Sequence, residues 1–354
     1  MRSALILVQV ALSLPLLVSA ALLMKTLQNL RAVDTGFGKE NVLFASVNPA
    51  LNGYTKERTA AFYQELLART RALPGVRFAS LATDTPVSGG YDQTSIVAEG
   101  YTPREGERMF ADFTYVSSDY FKSLEIPLVA GRDFDDRDRL GAPQVVVVNE
   151  KMAKHYFGTT DVIGKRIGLD EVPDRTIVGV VKDAVYMNLR QNIRRHVYVP
   201  ITQEKQLTGL TLHVKTTDQP QAVAEQLRAE LKAMDPHLPL YNIKTLETEI
   251  DESLVQERLV TWLSAAFGVL ATLLTALGLY GVLTFSVARR TREIGIRVAL
   301  GAQRRDVFRL IMIPGVILVG VGIAVGLGAS FAFSRFIQTL LFGVSPNSVT
   351  TLVA

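Results

Sequence analysis

Three stretches of the chain carry no charged side chain: residues 4–24, 259–286 and 310–333. Each is long enough to cross the hydrocarbon core of a bilayer as a helix, which takes about 20 residues. Buried helices of soluble domains are seldom apolar over such lengths, so all three are read as membrane spans. The first has a rival reading as a secretory signal, because Val18-Ser19-Ala20 has the small residues of a cleavage site. Its length favours an anchor, as do Leu27, Leu30 and Val33, which continue past Lys25 at helical spacing. Either reading sends residues 25–257 outward. Pro15 and Pro314 are expected to kink their helices or end a turn.

Between the first two spans the pattern shortens. Residues 41–49 read as a strand. Residues 55–73 place Ala60, Phe62, Leu66, Leu67 and Ala68 at helical spacing, and Gly75 follows as a stop. Residues 76–83 read as a second strand, completing a β-α-β unit. A similar unit recurs as a strand over 210–216, an amphipathic helix over 222–234 ended by Asp235-Pro236, and a strand over 238–246. The two halves therefore enclose an insertion, with strands predicted over 143–150 and 175–186 and turn-rich segments such as "AGRDFDDRDRLGAP". Residues 246–258 put Leu246, Ile250 and Leu254 on one face, a helix expected to run straight into the second span as a stalk. The fold class is an α+β membrane protein, with three spans present, a fourth cut off, and a large inserted extracytoplasmic α/β domain.

Charge orients this arrangement. The pI near 9.2 hides a local asymmetry. Residues 25–257 hold 28 Lys and Arg against 32 Asp and Glu, a net of −4, whereas residues 288–310 hold seven arginines against two acids, a net of +5. A nucleic-acid binder spreads basic charge over a folded face, and this chain does not, so no nucleic-acid partner is expected. Cytoplasmic loops are enriched in Lys and Arg, which places the arginine segment inside and residues 25–257 outside. The third span then returns outward and a fourth must follow. The chain stops at "SPNSVTTLVA", so it is read as a fragment or as ending abnormally. Small residues mark the expected seam between spans two and three: Gly278 and Gly281 on one side, Gly320, Gly322, Gly326 and Gly328 on the other.

Catalytic patterns are missing from the sequence. The absence of cysteine excludes disulfides, zinc-thiolate sites and thiol catalysis. There is no GxxxxGK[ST] phosphate loop, no HExxH and no GxSxG. His155, His196, His213 and His237 lack ligand spacing and read as surface or strand residues. The acidic run Asp133, Asp135, Asp136 and Asp138 lacks the Gly and distal Glu of a calcium loop and is interleaved with arginines, so it reads as a solvated turn. The segment "RQNIRRH" (190–196) could face lipid headgroups or a partner, but reads as a solvated loop. No catalytic, cofactor or metal residue is assigned, and no enzyme activity is expected.

The segment "GLYGVLTFSVARRTREIGIRVALGAQRRDVFRLI" (278–311) resembles the MacB/FtsX-type ABC permeases, as do "VSSDYFKSLEIPLVAGRDFDDRD", "PQVVVVNEKMAKHYFGTTDVIGKRI", "TIVGVVKDAVYMNL" and "FGVSPNSVTTLVA". The resemblance covers nearly the whole chain and is nearest to the second half of duplicated MacB-like permeases. It implies a first transmembrane helix and stalk over 1–33. An extracytoplasmic domain over 34–245 would follow, with porter-like halves at about 40–90 and 208–245 and a β-rich insert at about 91–207. A stalk and permease domain over 246–354, with a cytoplasmic coupling loop at 288–309, would end before the fourth span.

In that family the loop after span two forms a short coupling helix that docks on a separate or fused ATPase. Here Thr291–Leu300 would place Ile294 with Val298, and Ile296 with Leu300, at i,i+4, beside Gly295, with Gly301 ending the helix in a left-handed conformation. Arg292, Glu293 and Arg297 would offer polar contacts. The rival reading is that the arginines only fix topology and bind anionic lipid. The expected function is a non-catalytic permease subunit in a bacterial inner (plasma) membrane, passing ATP-driven motion to its outer domain for efflux or envelope-substrate handling. ATP would be bound by a partner subunit. The other expected partners are membrane lipid, a second permease half or copy, and a periplasmic protein or substrate. The alternative is a membrane-anchored binding or scaffold protein without an ATPase.

Overall fold

The computed structural model describes residues 2–88, 92–170, 172–190, 193–204, 209–336 and 342. Its elements begin with α1 (Arg2–Arg31), β1 (Val42–Val47), α2 (Lys56–Arg71), β2 (Val76–Ala82), β3 (Asp92–Ala98) and β4 (Phe110–Val116). Next come α3 (Tyr120–Ser123), β5 (Leu128–Gly131), β6 (Val145–Asn149), α4 (Glu150–Phe157), β7 (Arg166–Leu169) and β8 (Arg175–Val181). The chain continues with β9 (His196–Pro200), β10 (Leu210–Thr216), α5 (Pro220–Met234), β11 (Tyr241–Thr245), α6 (Leu246–Ser253), α7 (Val255–Ala299) and α8 (Arg304–Phe336). Two compact units result: residues 34–253, and residues 1–33 with 254–354.

In the 34–253 unit the two expected β-α-β halves form one antiparallel sheet in the order β11-β1-β10-β2. This is the split β-α-β topology of ferredoxin-like folds. Thr55 caps α2, its hydroxyl accepting from the Arg58 N–H at 3.4 Å. The apolar stripe of α2 (Phe62, Tyr63, Leu66, Leu67) and that of α5 (Val223, Leu227, Leu231) pack on the sheet through Leu43, Leu81 and Val214. Tyr63 ties this layer together. Its hydroxyl donates to the Val47 carbonyl at 2.9 Å and accepts from the Leu210 N–H at 2.9 Å, so the buried polar group is satisfied.

The insertion closes on itself. β4, β3, β7, β8, β6 and β9 pair in sequence and β9 returns to β4, giving a ring of strands around Val146, Val148, Ile167, Ile177, Val180 and Val197. Closure removes the unpaired edges that an isolated small sheet would expose. A single pairing, Ala82 with Val116, joins β2 to β4 and so links the two sheets. The strand expected over 175–186 ends earlier, at Val181. Beyond it the Asp183 carboxylate accepts from the Lys151 N–H at 2.8 Å and Val185 N–H bonds to Thr35 O at 2.9 Å, so local partners replace the ladder.

In the second unit α1, α7 and α8 are long and apolar enough to cross a membrane. The stalk helix expected over 246–258 is interrupted at Leu254 (φ −103°, ψ 7°), where α6 has ended and α7 begins. Ser253 Oγ donates to the Ile250 carbonyl at 2.7 Å, the kind of side-chain bond that competes with helix continuation. The tail "SPNSVTTLVA" lies outside the described residues.

Candidate functional site

The arginine segment is built on the end of α7. The sequence suggested a separate short helix over 291–300; instead α7 runs unbroken from Val255 to Ala299, 45 residues or about 68 Å. The physical reason is that nothing interrupts its ladder. Thr291 returns its hydroxyl to the Val287 and Ala288 carbonyls, and Glu293 pairs with Arg297 at 2.9 Å across one turn. Gly295 meets nothing within 4 Å of its Cβ position and is accommodated inside the helix.

The helix then stops sharply. Gly301 has φ +92°, a conformation that glycine adopts without the Cβ penalty. Gly301 N–H bonds to Val298 O at 3.1 Å and Ala302 N–H to Arg297 O at 3.0 Å. These are the paired bonds of a Schellman C-cap. Two residues later the Gln303 N–H donates to the Asp306 carboxylate at 3.2 Å, the reach-back half of a capping box at the start of α8. The connection between the helices is thus closed at both ends by hydrogen bonds.

Around this turn stand Arg289, Arg290, Arg292 and Arg297 on α7 and Arg304, Arg305 and Arg309 on α8, all exposed. Of these seven arginines, only Arg297 has an ion-pair partner among the described residues. Ile296, Val298 and Phe308 are exposed between them, Ile294 is half-buried, and Leu300 is 83% exposed. The surface carries free positive charge interleaved with large apolar side chains on a backbone that is hydrogen-bonded through its turn.

The glycines take different places. The seam was expected between spans two and three, but Gly322 and Gly326 of α8 face α1. A Cβ at Gly322 would lie 2.8 Å from Val10 Cβ, and one at Gly326 would lie 3.0 Å from Leu14 Cβ. The absence of a side chain is what lets the helices approach there. On α7, Gly281 has nothing within 4 Å of its Cβ position and Gly278 is half-buried. Two glycines that the sequence reading passed over make contacts instead: Gly268 against Leu17 of α1, and Gly315 of α8 against Leu283 of α7. Composition could not distinguish them, since every candidate sits in an equally apolar run.

The other candidate groups serve structure. Asp138, only 3% exposed, takes a two-pronged contact from Arg132, with Nη1 at 2.7 Å and Nη2 at 2.8 Å. The acidic turn is therefore clamped from inside, while Arg137 holds the Asp135 carboxyl well below its ordinary range. No group of His, Asp or Glu suited to a metal occurs among the described residues. His196 and His213 are buried on strands, and burial pushes both down to about 3. His196 shares a 2.9 Å hydrogen bond with Thr114, and His213 meets Phe44 and Tyr120 edge-on. His155 lies on α4 and His237 in the turn after α5.

The MacB-like periplasmic core domain family matches residues 3–230, and the FtsX-like permease C-terminal family matches residues 265–353. "Macrolide export ATP-binding/permease protein MacB 2" of Aeromonas hydrophila is 28% identical over 270 residues, 72% of this chain and 40% of that protein. "Probable syringafactin export ATP-binding/permease protein SyfD" of Pseudomonas syringae pv. tomato is 29% identical over 261 residues, 69% of this chain and 38% of that protein. The chain thus spans about two fifths of the length of the curated relatives it matches. The periplasmic region of MacB from Actinobacillus actinomycetemcomitans aligns with a TM-score of 0.41 at 17% identity, over 65% of this chain and 97% of that one. With a MacB-like domain over its first two thirds and an FtsX-like segment over most of the remainder, the chain belongs to the MacB-like ABC transporter permeases, as a membrane protein with an extracytoplasmic domain.

Proposed function

We propose that this chain is a non-catalytic permease subunit, moved by a cytosolic ABC ATPase that docks on the α7–α8 turn. The observation that carries the reading is the turn itself: a Schellman cap and a reach-back cap close a four-residue link, 300–303, beneath a continuous helix of 45 residues. A push on Leu300, Ile296 or Arg292 would pass into α7 as rigid-body motion, because no flexible loop intervenes to absorb it. The six arginines without an ion-pair partner and the exposed apolar side chains supply a mixed surface of the kind that partner proteins bury. The names of the relatives join ATP-binding to permease, which supports the reading that an ABC ATPase drives this permease. The protein would sit as a multi-pass protein in the bacterial inner membrane, paired with a second permease half or copy, and act on an envelope substrate by efflux or handling.

The test is purification from native membranes of the wild type and of an Arg292→Gln/Glu293→Gln/Arg297→Gln variant, with insertion checked by accessibility labelling. An ABC ATPase should co-purify with the wild type and drop at least tenfold with the inserted variant. No ATPase with either protein would leave the arginines as a topology device and favour an anchored scaffold.

A further inference from the structure

A second basic cluster forms in the outer unit, far from the arginine turn in sequence. Residues at the start of β4, on α4 and just before β9 line an open hollow of about 750 Å³. Four cations face it, Arg108, Lys151, Arg194 and Arg195, against two acids, Glu107 and Asp112. The acids are already engaged. Asp112, 2% exposed, accepts from Gln93 Nε2 at 2.9 Å and lies 3.4 Å from the Arg194 guanidinium. Glu107 accepts from the Tyr101 hydroxyl at 2.9 Å and the Arg104 N–H at 3.0 Å.

The side-chain hydrogen bonds of Arg195 and Lys151 go to neutral groups, with Asp112 and Asp183 acting on them only through space. Arg195 donates to the Arg108 carbonyl at 3.0 Å, reaches His155 Nε2 at 2.7 Å and lies over the Tyr156 ring at 5.4 Å. Lys151 Nζ donates to the Ile193 carbonyl at 2.5 Å. The exposed Arg108 guanidinium has no partner among the described residues. His155 Nε2 also stands 2.8 Å from Glu107. One ring nitrogen cannot donate to Glu107 and accept from Arg195 at once, so the tautomer that serves Glu107 leaves Arg195 without that acceptor.

The backbone beneath these side chains is fixed. Asn149, the cap of α4, donates to Arg194 O at 2.8 Å and accepts from His196 N–H at 3.0 Å, while Asp112 N–H bonds to Arg195 O at 2.9 Å. Like charges gathered on a rigid frame repel unless a counter-charge joins them. The excess of two positive charges matches the charge of a phosphate group near neutral pH, between about −1.5 and −2, and guanidinium forks fit phosphate oxygens. Phe110 and Ile193 add apolar surface beside the charged groups.

We propose that this hollow binds a phosphate-bearing anion through Arg108, Lys151 and Arg195. The site is independent of the ATPase reading. The chemistry is shared by free phosphate and by a lipid headgroup, and the test separates them. The full chain, in nanodiscs of phosphatidylcholine, is titrated calorimetrically with inorganic phosphate and, separately, with dihexanoyl phosphatidic acid. Saturable binding is expected for at least one probe. It should weaken at least tenfold in Arg108→Gln/Arg195→Gln and in Lys151→Gln, and stay unchanged in Arg77→Gln, an exposed arginine on β2. Equal affinity for both probes assigns a free anion, and a tenfold preference for the lipid assigns a headgroup. Absence of saturable binding for both probes, or binding that the hollow's variants leave unchanged while their near-ultraviolet spectra match the wild type, overturns the proposal.

Discussion

The two units of this chain bury opposite things. The outer unit hides its apolar side chains and the polar groups that accompany them, down to a clamped carboxylate at Asp138 and two neutral imidazoles. In the other unit, α7 buries only Thr261 and Gly268 of its 45 residues, while Trp262 is 63% and Leu277 67% exposed. One interior is assembled by removing apolar surface from water. The other has its apolar surface facing outward, where lipid is as apolar as leucine and close backbone approach has to supply the specificity. Different kinds of substitution should therefore damage the two units.

The largest difference should appear with pH. His196 and His213 are held neutral with folded values near 3, while an unfolded histidine titrates near 6.5. Between these values the unfolded chain binds two more protons at these positions, so stability falls as pH falls. The expected loss is about 2–3 kcal/mol per pH unit between 6 and 4 for the pair. Hydrogen exchange should show it in the outer unit and leave α7 and α8 unchanged; His196→Gln should halve the slope. Next, Arg132→Ala leaves Asp138 buried without its partner. Because the arginine is partly exposed, the cost is reduced from that of a fully buried pair to about 2–3 kcal/mol, read by urea unfolding of the outer unit.

The comparison turns around for the glycines. Gly322→Leu drives a side chain into Val10 and should cost about 2 kcal/mol in the α1–α8 packing. Gly281→Leu, with open space around it, should cost almost nothing. Amide exchange along α1 and α8 reports this packing; equal exchange in the two leucine variants would break the distinction. A smaller effect than at Gly322 is expected at Gly301→Ala, where φ +92° imposes about 1–2 kcal/mol of local strain. It should appear as faster amide exchange at Gly301 and Ala302, with both units otherwise protected as before.

By itself the sequence determined the features that local chemistry controls. Charge-free runs of more than 20 residues are long enough to cross a membrane as helices, and period-3.6 patterns mark α2 and α5, whose apolar stripes pack on the sheet, while the apolar runs of β1, β2 and β10 mark strands. The recurrence of a β-α-β unit on either side of an insertion was legible for the same reason, and so was the left-handed stop at Gly301. Tertiary structure decided everything that depends on which surfaces meet. It closed the insert into a ring, because β4 and β9 lie more than 80 residues apart and their pairing leaves no local mark. It merged the expected short helix into α7, turned Gly322 and Gly326 toward α1, and gathered Arg108, Lys151 and Arg195 into one hollow. Periodicity says that a face must be covered. Only the packed fold says by what, since many partners satisfy the same hydrophobic demand and steric fit selects among them.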